Sequence, residues 1–541
     1  MRFSLAAGFV FLATAAAAAG AAPAVSVGDG VRLYRQGVLP DGKELRGERA
    51  GGADVRGAAA ACVNCHRRSG LGTTEGQIVI PPITGKYLFR PLEKNIKDLN
   101  LPHVYGVRTQ RSPYTDATLA RAIREGIDSD GRPLNYLMPR FRLDDAALAA
   151  LIAYLKELTS APVPGVTDDT LHFATIITPD ADPVARQGML DVMQQFFTDK
   201  NEFIRGGART LQSNSHAITY RVTRRWQLHV WELTGPPDSW QQQLHARLQA
   251  EPVFAVISGI GGKTWEPVHR FCEQDVVPCF FPNVDLPVDA ERDFYPVYFS
   301  RGVLLESDLV AHDLAAPASF RPSRLVQVYR QGDIGAAAAH RLENNPSLKD
   351  LAHSVRALPA NGNAVDLARA LRDVRADDVL MLWLRPADLA TLPDDPPKAL
   401  RVYASGLMGD LENAPLLAGW RAVTHLAYPF DLPGSRMVRM NYPLGWFRVR
   451  HIPVVAERVQ SDTYLACGIL AETLNDMLDS FVRDYLVERV EVMLSHRLIT
   501  GYYPRLGLAP GQRFASKGGY LVHFAEPRGT RVIADGDWVV P

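Results

Sequence analysis

The stretch A-A-C-V-N-C-H-R-R-S-G, residues 60–70, sets Cys62 and Cys65 three positions apart with His66 directly behind them. Paired thiols at this spacing serve structural zinc, disulfide exchange or covalent haem attachment. Structural zinc needs two further Cys or His ligands nearby at similar spacing, and the neighbouring sequence offers none. A dithiol exchanger opens a helix after a strand in a βαβ setting, which this region lacks. The reading left is C-x-x-C-H, in which both thiols bond to haem vinyl groups and His66 ligates the iron.

The other axial position is narrowed by elimination. Residues 22–160 hold one methionine, Met138, in N-Y-L-M-P-R-F, and one other histidine, His103, in L-P-H-V-Y-G. Met138 precedes a helical pattern, where a loop presents the thioether to the iron and raises its reduction potential. His103 is read as a surface loop residue. Helical patterns are expected near 29–37, 115–127 and 144–158. In the last, Leu148, Leu151, Ile152, Leu155 and Leu158 recur at helical spacing and face inward.

With these features in order, residues 29–159 resemble a class I c-type cytochrome. The resemblance is carried by the attachment motif, by I-V-I-P-P-I-T-G ending at Gly85, by Met138-Pro139 and by the final L-x-x-L-I-x-Y-L-K-x-L helix. It implies a small all-α domain, one covalently bound haem c held by Cys62, Cys65, His66 and Met138, and single-electron transfer. A glycine-rich lead-in, residues 47–58, departs from the family pattern and has no role that the sequence assigns.

The chain has 541 residues, with 47% hydrophobic and 22% charged residues, a globular composition that calls for several domains. No long basic tract suggests nucleic-acid binding. One Arg, an apolar run over residues 5–19 and small residues after it read as a secretory signal over residues 1–21. The run is too short and alanine-rich for an anchor, since about 20 strongly apolar residues span a bilayer, and no later stretch suits. A soluble periplasmic protein is expected. Residues 23–160 carry 20 Lys and Arg against 15 Asp and Glu, and residues 161–541 carry 38 against 44. These imbalances are small enough for ordinary solvated surface, though opposite net charges also permit docking between the halves or to an acidic redox partner.

The cytochrome-like domain is placed at residues 22–160, and a Pro- and Gly-containing linker at 161–170 separates it from residues 171–541. Beyond the linker, apolar strands at 172–178, 253–258, 279–281, 324–329 and 379–384 alternate with helical patterns, which implies parallel sheets covered by helices. A helical tract over 464–494 and a terminal hairpin complete the series. This part is too large for one sheet core and is expected to form two α/β lobes.

On that order, on V-F-A-V-I-S-G-I-G-G-K-T-W at 253–265 and on the ending Y-P-R-L-G-L-A-P-G-Q-R-F at 503–514, residues 171–541 resemble a type I periplasmic binding protein of the branched-chain amino-acid receptor class. The resemblance implies a small-molecule site at strand ends of the first lobe. The residues at those places are Ser258, Gly261 and Thr264 in one loop and Asn283 and Asp285 in the next. Glycines stand where the family offers serines, and Asp285 where a threonine is common, which argues against an amino-acid ligand. Ser258 as a turn residue and Thr264 as a helix cap are equally good readings. Cys272 and Cys279 form a disulfide or stay as two buried thiols; a bridge would add about 2.5 kcal/mol on the chain-entropy model. Cys467 is read as a core residue.

The function expected is that of a periplasmic electron carrier rather than an enzyme. Its partner would be a dehydrogenase or another cytochrome, and its second domain would dock that partner or sense a ligand. The alternative is the solute-binding subunit of an ABC-type transporter carrying an accessory cytochrome domain. A haem enzyme is disfavoured by the single attachment motif and by an iron closed by Met138.

Overall fold

The computed structural model describes residues 26–75, 78–90, 111–210, 224–316, 322–477 and 480–541. The expectations placed on the leader and on His103 fall outside them. No helix among the described residues is long and apolar enough to cross a membrane. Two compact units part between Ala161 and Pro162.

The first unit contains α1 (Val27–Gln36), α2 (Val63–His66), α3 (Gly85–Leu88), α4 (Asp116–Glu125) and α5 (Asp145–Glu157). Local chemistry sets the ends of the longer helices. The Ser26 side chain caps α1, which stops at left-handed Gly37. Thr115 and Thr118 form a capping box on α4, and the Asp144 carboxylate accepts from Ala147 N at the start of α5. The predicted 144–158 stripe is the buried face of α5: Leu148, Leu151, Ile152 and Leu155 pack with Leu33, Tyr34, Leu119 and Ile123. α1 crosses α5 at Gly30, where a Cβ would lie 2.3 Å from the Ala150 carbonyl oxygen. Only glycine permits so close a crossing.

The expectation of an all-α domain is corrected. β1 (Arg46–Glu48) and β2 (Asp54–Arg56) form an antiparallel hairpin from the glycine-rich lead-in. β3 (Thr73–Glu75) and β4 (Ile78–Ile80) form another. β1 also pairs antiparallel with β5 (Arg140–Phe141), so the larger sheet runs β2-β1-β5. Strands of two and three residues are too short to show a period of two, and this hid them in the sequence.

The second unit starts earlier than the linker reading places it. Gly165, at φ +80°, has no room for a side chain, a Cβ there falling 2.1 Å from Phe254 N, and its carbonyl accepts from His172 N at 2.9 Å. The stretch expected to be a linker is thus folded onto the α/β unit from Val163, and β6 (Thr170–Ile177) opens within it. β7 (Arg225–Glu232), β8 (Ala255–Ile257), β9 (Cys279–Phe280) and β10 (Pro296–Val297) complete a parallel sheet of order β10-β9-β8-β6-β7.

A second sheet has the order β12-β11-β13-β14-β15-β16-β17. Its members are β11 (Arg324–Arg330), β12 (Ala352–Leu358), β13 (Asp378–Trp383), β14 (Arg401–Ser405), β15 (Thr424–Tyr428), β16 (Tyr520–Phe524) and β17 (Val532–Ala534). The first five are parallel; the final hairpin adds antiparallel. β13 is buried at every residue, as expected of a strand covered on both faces.

The chain crosses between these lobes repeatedly. Helix Val303–Ala315 packs on β14, β15 and β16 of the second lobe, whereas helix Glu457–Met477 returns to β8 and helix Pro183–Thr210 of the first. β16 and β17 then rejoin the second lobe. The expected helical tract at 464–494 is two helices, Glu457–Met477 and Arg483–His496. At the break Phe481 packs edge-on against Phe254, and the Arg483 guanidinium donates to the carbonyls of Val253 at 2.6 Å and Val276 at 3.0 Å.

Candidate functional site

α2 is a single turn that carries Cys65 and His66, with Cys62 at its N-cap. Both cysteines are thiols rather than a disulfide. The turn is fixed from several sides: Asn64 Nδ2 donates to Ala58 O at 2.8 Å, and buried Tyr34 donates its hydroxyl hydrogen to Arg67 O at 2.7 Å. Burial pushes the Cys62 thiol up to about 12.

His66 is buried, with its Nδ1 at 3.0 Å from the Pro81 carbonyl oxygen. A carbonyl only accepts, so Nδ1 carries the proton and Nε2 keeps its lone pair. Desolvation outweighs that hydrogen bond and holds the imidazole at about 4, below its ordinary value. The ring is therefore neutral near pH 7 with Nε2 set to ligate a metal. A backbone carbonyl fixing the far nitrogen is the usual support for an iron-binding histidine.

Met138 packs against the same apolar cluster as Cys62 and Val63. Its loop is tied down by the hairpin for which the sequence suggested no role. Gly47 pairs with Phe141 and Glu48 with Arg140, Ala50 N donates to Tyr136 O at 3.3 Å, and Arg142 N donates to Arg46 O at 2.9 Å. A Cβ on Gly47 would stand 2.9 Å from Phe141 Cδ1 and 3.0 Å from Pro139 Cβ. The glycine thus lets β1 lie directly on the residues that follow Met138.

This donor set fits a haem of the c type. Two thiols lie one turn apart, a neutral imidazole exposes only Nε2 for ligation, and a lone thioether is anchored on the same core. Residues 52–159 match the family model of cytochrome c. The cytochrome c segment thus takes in Cys62, Cys65, His66 and Met138, while α1 and β1 precede it. No match is found among curated proteins.

Among solved structures, the chain is similar to a substrate-binding protein of an ABC transporter from Aeropyrum pernix, with 13% identity, TM-score 0.48, and coverage of 69% of this chain and 97% of that one. It is also similar to a fatty acid ABC transporter substrate-binding protein from Thermomonospora curvata, with 14% identity, TM-score 0.46, and coverage of 70% and 95%. A third is the branched-chain amino acid transporter substrate-binding protein LivJ from Streptococcus pneumoniae in complex with isoleucine, with 7% identity, TM-score 0.47, and coverage of 69% and 100%.

In the α/β unit a small cavity of about 20 Å³, room for little more than one water, lies between the lobes. Asn283 and Asp285 line it, but Ser258, Gly261 and Thr264 do not. Ser258 is buried in a hydrogen-bonded knot, 3.1 Å from Thr463 Oγ1 and accepting from Asn283 Nδ2 at 2.9 Å. Gly261 abuts the Trp265 ring. The Thr264 hydroxyl accepts from Glu266 N at 3.3 Å, one residue ahead of Trp265, the N-cap of the helix Glu266–Gln274. Of the five residues read as pocket positions, this cavity brings together Asn283 and Asp285.

Asp285 instead joins the lobes. Its two oxygens accept from Arg458 at 2.8 Å and from Arg385 at 3.4 Å, and Arg385 also grips Asp333. Arg458, Asp462 and Tyr503, which line the same cavity, were not singled out in the sequence. The available signal was an Arg and an Asp four apart, Arg458 and Asp462, on one helix just ahead of the tract read as helical. Cys272 and Cys279 form a disulfide between helix Glu266–Gln274 and β9, and Cys467 is a buried thiol.

Proposed function

We propose that the chain is a periplasmic electron carrier, not an enzyme, which passes single electrons through one covalently bound haem c to or from a dehydrogenase or another cytochrome. The observation that carries this reading is His66: buried, neutral, and held by Pro81 with only Nε2 left to ligate, one residue after the second thiol of the motif. In this reading Cys62 and Cys65 would form the thioethers, and His66 and Met138 would ligate the iron. Haem bound here supplies an iron couple that accepts and returns one electron.

The chain's own residues set how that couple behaves. Met138, held by the β1–β5 pairing, would ligate the iron, which would raise its potential and shut out small ligands. The apolar cluster of Leu33, Leu151, Ile152 and Leu155 excludes water, so the neighbourhood changes little when charge changes. The Pro81 carbonyl orients the imidazole and makes it a stronger donor. The α/β unit docks the redox partner or responds to a small ligand. The alternative, solute binding for a transporter as the main task, is favoured by the two-lobed architecture of that unit.

Potentiometric titration of the full-length holoprotein, followed by haem absorbance, tests the carrier reading. A reversible one-electron curve is expected, with Met138→Ala shifting the midpoint to lower potential and opening the iron to cyanide. Ready binding of cyanide or peroxide by the unaltered protein, with turnover, would place it among haem enzymes instead.

A further inference from the structure

The two lobes of the α/β unit are bridged twice, and in the same way. Arg385, which follows β13, sets Nε and Nη2 on the two oxygens of Asp333 at 3.0 and 3.1 Å and reaches with Nη1 to Asp285 Oδ2 at 3.4 Å. Arg341, on the helix Gly335–Glu343, sets Nε and Nη2 on the two oxygens of Asp308 at 2.7 and 2.8 Å and reaches with Nη1 to Asp289 Oδ2 at 2.9 Å. Each fork holds a carboxylate of the arginine's own lobe: Asp333 follows β11, and Asp308 lies on the helix Val303–Ala315 that packs on β14, β15 and β16. The carboxylates that Nη1 reaches belong to the other lobe, in the loop after β9. That loop is tied to the first lobe at both ends, by Asn283 N donating to Gly259 O at 2.8 Å and by the Asp293 carboxylate 2.7 Å from His269 Nε2.

A guanidinium already committed to one carboxylate through Nε and Nη2 has given up its rotamer freedom before it meets a second, so the bond across the lobes costs little further entropy. The Asp285 and Asp289 side chains are only 17% and 33% exposed, and pairs this far out of solvent are screened less than surface pairs. Each of these carboxylates has a second guanidinium beside it, Arg458 at 2.8 Å from Asp285 and Arg301 at 3.5 Å from Asp289. The space left between the lobes holds little more than one water, so they meet through these side chains. We propose that Arg385 and Arg341 are twin latches that hold the lobes closed without a solute, by gripping Asp285 and Asp289. Closure is then a property of the chain's own charges, and it leaves the unit one constant surface to offer a redox partner. The inference concerns the α/β unit alone and does not depend on the haem reading.

The distance between the lobes tests this in the full-length holoprotein. Nitroxide labels are placed at Ala246→Cys on the helix Trp240–Ala250 and at Ala368→Cys on the helix Ala364–Leu371, exposed positions with one in each lobe; Cys467 is buried and stays unlabelled. Double electron–electron resonance then reads the distance, with no solute added. Asp285→Asn and Asp289→Asn keep shape and remove the charge, and Arg385→Gln breaks the same contact from the second lobe. A variant enters the comparison when its tryptophan-reported melting is within a few degrees of the parent. The parent should show one narrow distance. A second distance should grow relative to it by about fivefold for each Asp→Asn change and by about twenty-fivefold for both together, since independent sites add in free energy. Arg385→Gln should act as Asp285→Asn does. A parent already spread over two distances, or a doubly changed protein that keeps the narrow one, would overturn the latches. Opening by Asp285→Asn but not by Arg385→Gln would trace the effect to Arg458 within the first lobe and overturn them equally.

Discussion

Replacing Gly30 by alanine inserts a methyl group at the crossing of α1 and α5. Its Cβ would lie 2.3 Å from Ala150 O and 2.7 Å from Tyr154 Cβ. Because non-bonded packing wants about 3.5 Å, the helices must part by about 1 Å at that point. Overpacking of this kind costs about 1–3 kcal/mol, and alanine's better helix propensity returns up to about 1 kcal/mol. The expected loss of about 1–2 kcal/mol corresponds to a melting temperature lowered by roughly 4–10 °C in a domain of this size. Two probes separate the units. Haem absorbance reports the first, and the eight tryptophans, which begin at Trp226 and all lie in the second, report the other. Gly30→Ala should lower the haem-reported transition and leave the tryptophan-reported one in place. An unchanged haem transition would refute the close crossing of α1 and α5.

Gly47→Val drives β1 off Pro139 and Phe141, and should weaken the sulfur-to-iron charge-transfer band of the oxidised protein and speed cyanide binding while covalent haem is retained; an unaltered band would show that the lead-in does not hold Met138. Burial pushes Glu306 up to about 8, where it accepts from Leu407 N and Ser405. Its folded state therefore keeps a proton that the unfolded chain gives up from about pH 4.5, so the stabilisation present below that pH is lost on going up to about 8, by at most about 1.4 kcal/mol per pH unit. The tryptophan-reported melting temperature should fall over this window and Glu306→Gln should flatten the fall; an unchanged slope in that variant would point to other groups. Cys272→Ser opens a link across a sequence separation of seven and should cost about 2.5 kcal/mol on the chain-entropy model, read as a lower urea midpoint for the tryptophan transition alone.

The haem motif, the three helices around it and the alternation of strands and helices were legible because each rests on local spacing. The α5 stripe and the fully apolar β13 are of that kind. What escaped depends on partners distant in sequence. The lead-in hairpin gains its role only by pairing with Arg140 and Phe141, some ninety residues later. The break after Met477 is hidden because Phe481 and Val482 continue the apolar pattern. The cavity was sought in the first-lobe loops alone, whereas three of its polar walls, Arg458, Asp462 and Tyr503, arrive from the segment that crosses back between the lobes. Ser258 and Thr264, read equally as ligand groups or as a turn residue and a cap, both make hydrogen bonds within the protein that type alone does not show.

The central claim, that Cys62, Cys65 and His66 carry one haem, is tested most directly by the intact mass of the exported protein after denaturation. One haem added to the polypeptide, absent when Cys62→Ala and Cys65→Ala are combined, is the result predicted here. A denatured chain with the mass of the polypeptide alone, its colour removed by acid-acetone, would contradict it.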